Sequence, residues 1–266
     1  MRRWSFVVGG ILVLLGALAI LNAILGITLH LFWPIVLIAI GAWIIFGVSR
    51  GRSSANREPS SVPLEGAREA AVTVRHGAGR LSVGAGAGGT DLLSGSFGGG
   101  LETSRHLDGV RLVVDMRIRD RDVSHYFWPV PHRGWWGMLD WDFAVNPSVP
   151  LSLRVESGAS DNRLALTDLQ VRELLLKTGA SSTTVDLPAR AGHTRVTVES
   201  GAAAVKLRVP TGVAASIIVR STLAGVHVDR ARFPETAGGF RSADFDSAAN
   251  KVEIYVETAV GALEVF

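Results

Sequence analysis

The chain has no cysteine among its 266 residues. A disulfide framework, a thiolate zinc site, an iron–sulfur cluster and a Cys nucleophile are therefore excluded. Charge is scarce, at 19% against about 25% for an ordinary soluble domain. Acidic residues are absent from the first 57 positions, which carry five arginines (Arg2, Arg3, Arg50, Arg52, Arg57). The remainder holds 22 basic and 24 acidic residues, so the pI near 9.8 reflects the N-terminal flanks and not a cationic body. Nucleic-acid binding, which needs a clustered basic surface, is set aside. Known reaction signatures are missing too: there is no GxSxG, HExxH or GxxxxGK[ST].

What is abundant is hydrophobicity and glycine. The chain is 47% hydrophobic, with a mean hydropathy of +0.29. From Trp4 to Ser49 no residue is charged. One helix of that length would run about 69 Å at ~1.5 Å per residue, twice the ~30 Å hydrocarbon core. Two spans fit, broken where Asn22, Gly26, Thr28, His30 and Pro34 collect. The sequence predicts an α-helical transmembrane hairpin in residues 1–49, with helices near Ser5–Leu25 and Phe32–Val48. Pro34 falls in a first turn, and Trp4 and Trp33 sit at span ends. A cleaved leader ending at Ala17-Leu18-Ala19 is disfavoured, because Ile20–Leu25 is still apolar and a second span follows. Arginines flank both outer ends and none lies in the connecting turn, which predicts both termini in the cytoplasm. The bilayer is the first expected partner, through residues 4–49. Residues 50–63, rich in Ser, Arg and Pro, read as a flexible linker.

Residues 64–266 repeat themselves. Gly158, Gly179 and Gly201 are 21 and 22 residues apart. Each follows a small hydroxylated residue (Ser157, Thr178, Ser200) and precedes an alanine. Apolar residues stand five and three before (Leu153/Val155, Leu174/Leu176, Val196/Val198) and six and eight after (Leu164/Leu166, Val185/Leu187, Leu207/Val209). Alternation at i and i+2 marks strands with one buried face. Pro188 and Pro210 end the second strand of two copies. A unit this short cannot bury its own apolar face, but stacked units make one continuous core. The expected fold is all-β, a single-stack β-solenoid of short strands with ~21–22-residue coils. Weaker copies are read at His76–Gly79, Leu223–Gly225 and Val260–Ala262, giving five or six coils. Thr167–Leu176, which could pass for a helix, is assigned by register to a strand pair.

The segments Pro150–Pro210, Arg241–Ile254 and Phe32-Trp33-Pro34 together resemble the toast-rack architecture of LiaF-like bacterial membrane proteins. The resemblance implies a membrane-anchored, non-enzymatic modulator of cell-envelope stress signalling acting on a partner sensor kinase. LiaF-like proteins usually carry more spans than the two read here.

The search for chemistry returns little. Gly84–Gly89 superficially looks like a dinucleotide loop, but no helical run follows it. The seven histidines show no metal spacing, and no cofactor or metal is expected. A carbohydrate-active β-helix enzyme would need acids clustered on one face; in register Asp161 stands opposite Ser182 and Ala204, and Asp186 opposite Ala165 and Arg208. One segment breaks the coil pattern. In residues 125–143 the tryptophans Trp128, Trp135, Trp136 and Trp141 crowd together. Two readings stay open: a loop that docks on a partner or membrane, or a cap over an open solenoid end. Likewise, a scaffold that self-associates through solenoid ends stands beside the signalling modulator.

Overall fold

A computed structural model of the chain describes residues 57–119 and 139–266. The expected hairpin, the first part of the linker, and Trp128, Trp135 and Trp136 lie outside them. Among the described residues every regular element is a strand: β1 (Arg57–Pro63), β2 (Glu69–Ala85), β3 (Asp91–Gly98), β4 (Leu101–Asp108), β5 (Arg111–Ile118), β6 (Trp141–Val145), β7 (Leu151–Ala165), β8 (Val171–Asp186), β9 (His193–Arg208), β10 (Ala214–Val228), β11 (Glu235–Thr236), β12 (Gly239–Arg241) and β13 (Lys251–Val265).

Six long strands form the stack. β2 pairs in parallel with β7, β7 with β8, β8 with β9, β9 with β13 and β13 with β10. Each is 15 to 17 residues long and changes its inward parity at mid-length. In β7, Leu151, Leu153 and Val155 are buried on the first arm, while Ser160, Asn162 and Leu164 are buried on the second. Gly158 and Ala159 between them both face out. Two successive outward residues are what turning the strand around its own core requires, since a period of 2 otherwise keeps one face inward. After the second arm, Leu166 and Leu169 tuck inward across a short turn closed by Leu169 N–H to Leu166 C=O at 3.0 Å. The expected strand pair at Thr167–Leu176 is thus a turn followed by β8, which begins at Val171.

The three-copy register is reproduced. Val155, Leu176 and Val198 lie side by side, as do Leu164, Val185 and Leu207, and all six are fully buried. Two expectations fail. Coils do not stack in chain order, because β13 is inserted between β9 and β10. The weak copies at Gly225 and Gly261 also stand in a different register: Gly261 aligns with Ala203 and Ala224, two residues past the corner.

The β2 end of the stack is closed. β5 pairs with the first arm of β2, from Glu69 to Arg75, and β6 with the second, from Leu81 to Ala85. Between them Leu139 and Asp140 cover the corner, through His76 Nε2 to Leu139 O at 2.8 Å and Arg80 N–H to Asp140 Oδ1 at 2.9 Å. β4 extends β5, and β3 and β1 extend β6. Residues 57–63, assigned to the linker, are instead β1, antiparallel to β3. Pro59 and Pro63 are tolerated there because β1 is an edge strand, where a missing N–H breaks no ladder.

Trp141 requires a further correction. It is fully buried in β6, its indole N–H donates to Gly98 O at 3.0 Å, and its ring meets Phe97 edge-on at 5.3 Å. It offers no surface to a membrane or partner. It is a core anchor of the β2 end.

Candidate functional site

The corner residues of the six coils lie in one column. By register Gly77, Gly158, Gly179 and Gly201 are followed by Ala259 and Thr222. Glycine is required at the tight end. A Cβ on Gly158 would stand 2.4 Å from Gly77 O, one on Gly179 3.0 Å from Gly158 O, and one on Gly201 3.4 Å from Gly179 O. The corners therefore loosen along the stack, until side chains are accommodated at Ala259 and Thr222.

This bare floor forms an open groove of about 1400 Å³ running the length of the stack. Residues one position before the floor form its inner row: His76, Ser157, Thr178, Ser200, Thr258 and Ser221. Residues two positions before it form a charged wall: Arg75, Glu156, Lys177, Glu199, Glu257 and Arg220. The signs run plus, minus, plus, minus, minus, plus. Neighbours of opposite sign pair across coils, with Arg75 to Glu156 at 3.4 Å and Lys177 to Glu199 at 2.6 Å. Such exposed pairs contribute little to stability, but they fix a charge order along the groove. The hydrogen bond from Arg154 holds the Glu156 carboxyl below its ordinary range, with the charges of Arg154 and Arg75 reinforcing it. Only Glu199 beside Glu257 breaks the alternation.

The inner row is polar where a solenoid core is usually apolar. Asn162 donates from Nδ2 to Ser157 Oγ and Thr183 Oγ1, both at 3.0 Å. His76 heads the row, nearly fully buried and tilted against Trp141. Burial pushes its imidazole pKa below the ordinary value, although the bond to Leu139 O and the Asp140 charge oppose this. The unfolded chain thus takes up a proton at a higher pH than the native state does, so stability falls as pH drops below about 6.5. Denaturant midpoints measured between pH 7 and pH 5 are expected to decline, and His76→Gln is expected to flatten that decline. An unchanged slope in the variant would show that His76 is not its source.

Gly84–Gly89 leads from β2 into strand β3, not a helix. Asp161 faces Ser182, while Asp186 faces Ala165 and pairs with Arg208 at 3.2 Å. No group of three His, Asp or Glu residues among the described ones could hold a metal ion. The alternating charges two residues before each glycine escaped the sequence reading, although the register already displayed them.

Comparison with known proteins matches the part of the chain that carries the first four corners of the groove. Residues 50–208 match the family described as the N-terminal domain of toast_rack, DUF2154. Among solved structures, the fold is similar to a candidate cell adhesion protein from Clostridium sporogenes, at 15% identity and a TM-score of 0.70, over 79% of this chain and 98% of that one. A candidate adhesin from Bacteroides fragilis aligns at 9% identity over 80% of this chain and 98% of its own, with a TM-score of 0.28. No curated protein matches the chain. With more than half of its length matched, and with its coils stacked as the repeat demands, the chain belongs to the toast-rack N-terminal domain family.

Proposed function

We propose that this protein is a non-enzymatic, membrane-tethered interaction module of cell-envelope stress signalling, whose corner groove receives a segment of a membrane partner such as a sensor kinase. The observation that carries this reading is the groove itself. It is a long open groove, floored by glycine at four of its six corner positions, with a fixed order of charges along one side, which suits recognition of an extended segment of complementary charge. Family membership supports an interaction or scaffold role. The kinase partner is drawn from the LiaF-like resemblance. Residues 4–49 supply the tether in two spans, and the arginines flanking them place the solenoid on the cytoplasmic side. Tethering raises the effective concentration of module and partner, so a modest contact suffices.

Reporter fusions at both ends test the topology; a periplasmic or extracellular signal from either end refutes it. The groove is tested by exchanging charges in place, Glu156→Lys with Lys177→Glu. Net charge is kept while the exposed Arg75–Glu156 and Lys177–Glu199 pairs are lost; such pairs contribute little to stability, so the melting temperature is expected to fall by only a few degrees. Capture of a sensor kinase from detergent-solubilised membranes is expected to fall at least tenfold. Undiminished capture by a folded variant would remove the groove from recognition.

A further inference from the structure

The two ends of the stack are unlike. The β2 end is covered over both arms and the corner, as described above. At the other end, β12 pairs only with Ser216 and Ile217 of β10. Among the described residues no strand pairs with the outer edge of β10 from Ile218 to Val228. This edge reads IVRSTLAGVHV. It has no Pro, Lys, Asp or Glu, the residues that ordinarily blunt an open edge.

The last coil also leaves core positions uncovered. Val205, Leu263 and Val226 share one inward column, and their exposure is 2%, 2% and 39%. The outward apolar column grows in the same direction. Ala159, Ala180 and Ala202 give way to Val260 and then Leu223, which is 76% exposed.

We infer that the free edge of β10 pairs antiparallel with the same edge of a second copy of this chain, closing the stack as a two-fold dimer. Three observations select a second copy. First, an edge strand bent at Thr222 can be followed along both arms only by a strand bent at the matching place, and β10 of another copy has that bend. Second, head-to-tail stacking finds no bent receiving strand, because β2 is already paired and the outermost strands at its end are two separate short ones, β1, which carries Pro59 and Pro63, and β4. Third, one antiparallel register satisfies every inward position. With Thr222 opposite Leu223 of the second copy, Ser221 faces Ala224 and Val219 faces Val226, so each half-exposed valine is covered by the partner's core column. In this register Arg220 faces Gly225 and His227 faces Ile218, so no cations oppose each other across the axis. An isologous contact of this kind closes at two subunits and does not propagate.

The contact is small. An eleven-residue edge spans about 36 Å, at ~3.3 Å per residue, in a layer about 10 Å deep. Each copy then covers roughly 400 Å², and the pair falls below the ~1,200 Å² of standard interfaces. A reversible dimer is expected, not an obligate one.

The absence of native cysteine makes the test direct. Leu223→Cys is introduced into the full-length chain in lipid nanodiscs loaded at two copies per disc, with Leu107→Cys as the control. Leu107 is 51% exposed on β4, at the other end. Under mild oxidation the Leu223→Cys chain is expected to form disulfide-linked dimers at least tenfold faster than the control. Adding Val226→Lys to Leu223→Cys places a charge on the uncovered core position and is expected to cut that rate at least tenfold. The melting temperature should stay within a few degrees, since Val226 already contacts solvent. Equal rates at the two cysteines, or no effect of the lysine in a folded chain, would overturn the inference. So would an edge that cross-links only to another protein.

Discussion

Replacing Gly158 with alanine is expected to destabilise the solenoid by about 3 kcal/mol, at the upper end of what overpacking costs. The new methyl would sit 2.4 Å from the carbonyl oxygen of Gly77. That oxygen belongs to the backbone of the next coil, so relief requires the coils to separate at the corner, where their ladder is continuous on both sides. The same change along the column gives a graded series. Gly179→Ala meets an oxygen at 3.0 Å and is expected to cost about 1 kcal/mol, at the low end of that range. Gly201→Ala meets one at 3.4 Å, and Gly201 has no positive φ. There alanine is expected to be neutral or to stabilise by about 0.5 kcal/mol, by restricting the unfolded chain. Gly261→Ala should be worst, because φ is +138 and the methyl would lie 1.9 Å from Ala203 O. Urea midpoints of the four variants decide the matter. Equal losses at Gly158 and Gly201 would show that intercoil approach is not what selects glycine.

The second large effect is expected at Trp141. Truncation to alanine leaves a void beneath the β2 end and should cost about 3–5 kcal/mol. For a domain of this size that lowers Tm by roughly 6–20 °C. Trp141→Phe keeps the ring contact with Phe97 but leaves Gly98 O without its donor, so about 1–3 kcal/mol is expected. If Trp141→Ala melts like the parent chain, the ring is not the anchor its burial indicates.

The repeat was readable because each coil must meet the same four constraints: two inward arms, a bare corner and a closing turn. Those constraints leave residues at fixed distances from Gly158, Gly179 and Gly201. Coil order was not readable, for the same reason. β9, β10 and β13 carry one pattern, and a pattern says that a segment is a coil without saying which neighbour it meets. Gly225 and Gly261 misled because local Gly-Ala text imitates a corner, whereas the true corner positions there are Thr222 and Ala259. β1 was hidden by its prolines, which an edge position tolerates. Trp141 was grouped with the other tryptophans by density, although Trp141, Phe143 and Val145 alternate with Asp142 and Ala144 in the manner of a half-buried strand. The groove's wall was present in the text as Arg75, Glu156, Lys177 and Glu199, two residues before successive glycines.

The placement of β13 also orders events during biosynthesis. β10 leaves the ribosome before the strand that must separate it from β9, and Val265 trails Val228 by 37 residues. At about 5–20 residues per second, that interval lasts roughly two to seven seconds. During it, β9 and β10 each present an apolar flank matched to the other. A nascent chain that joined them directly would have to part them again to admit the final strand. The long excursion from Asp229 to Asn250 is made in that interval and docks on the outer edge of β10 through Arg241 and Ser242, on the side away from β9, so it leaves the inner edge of β10 free for the latecomer.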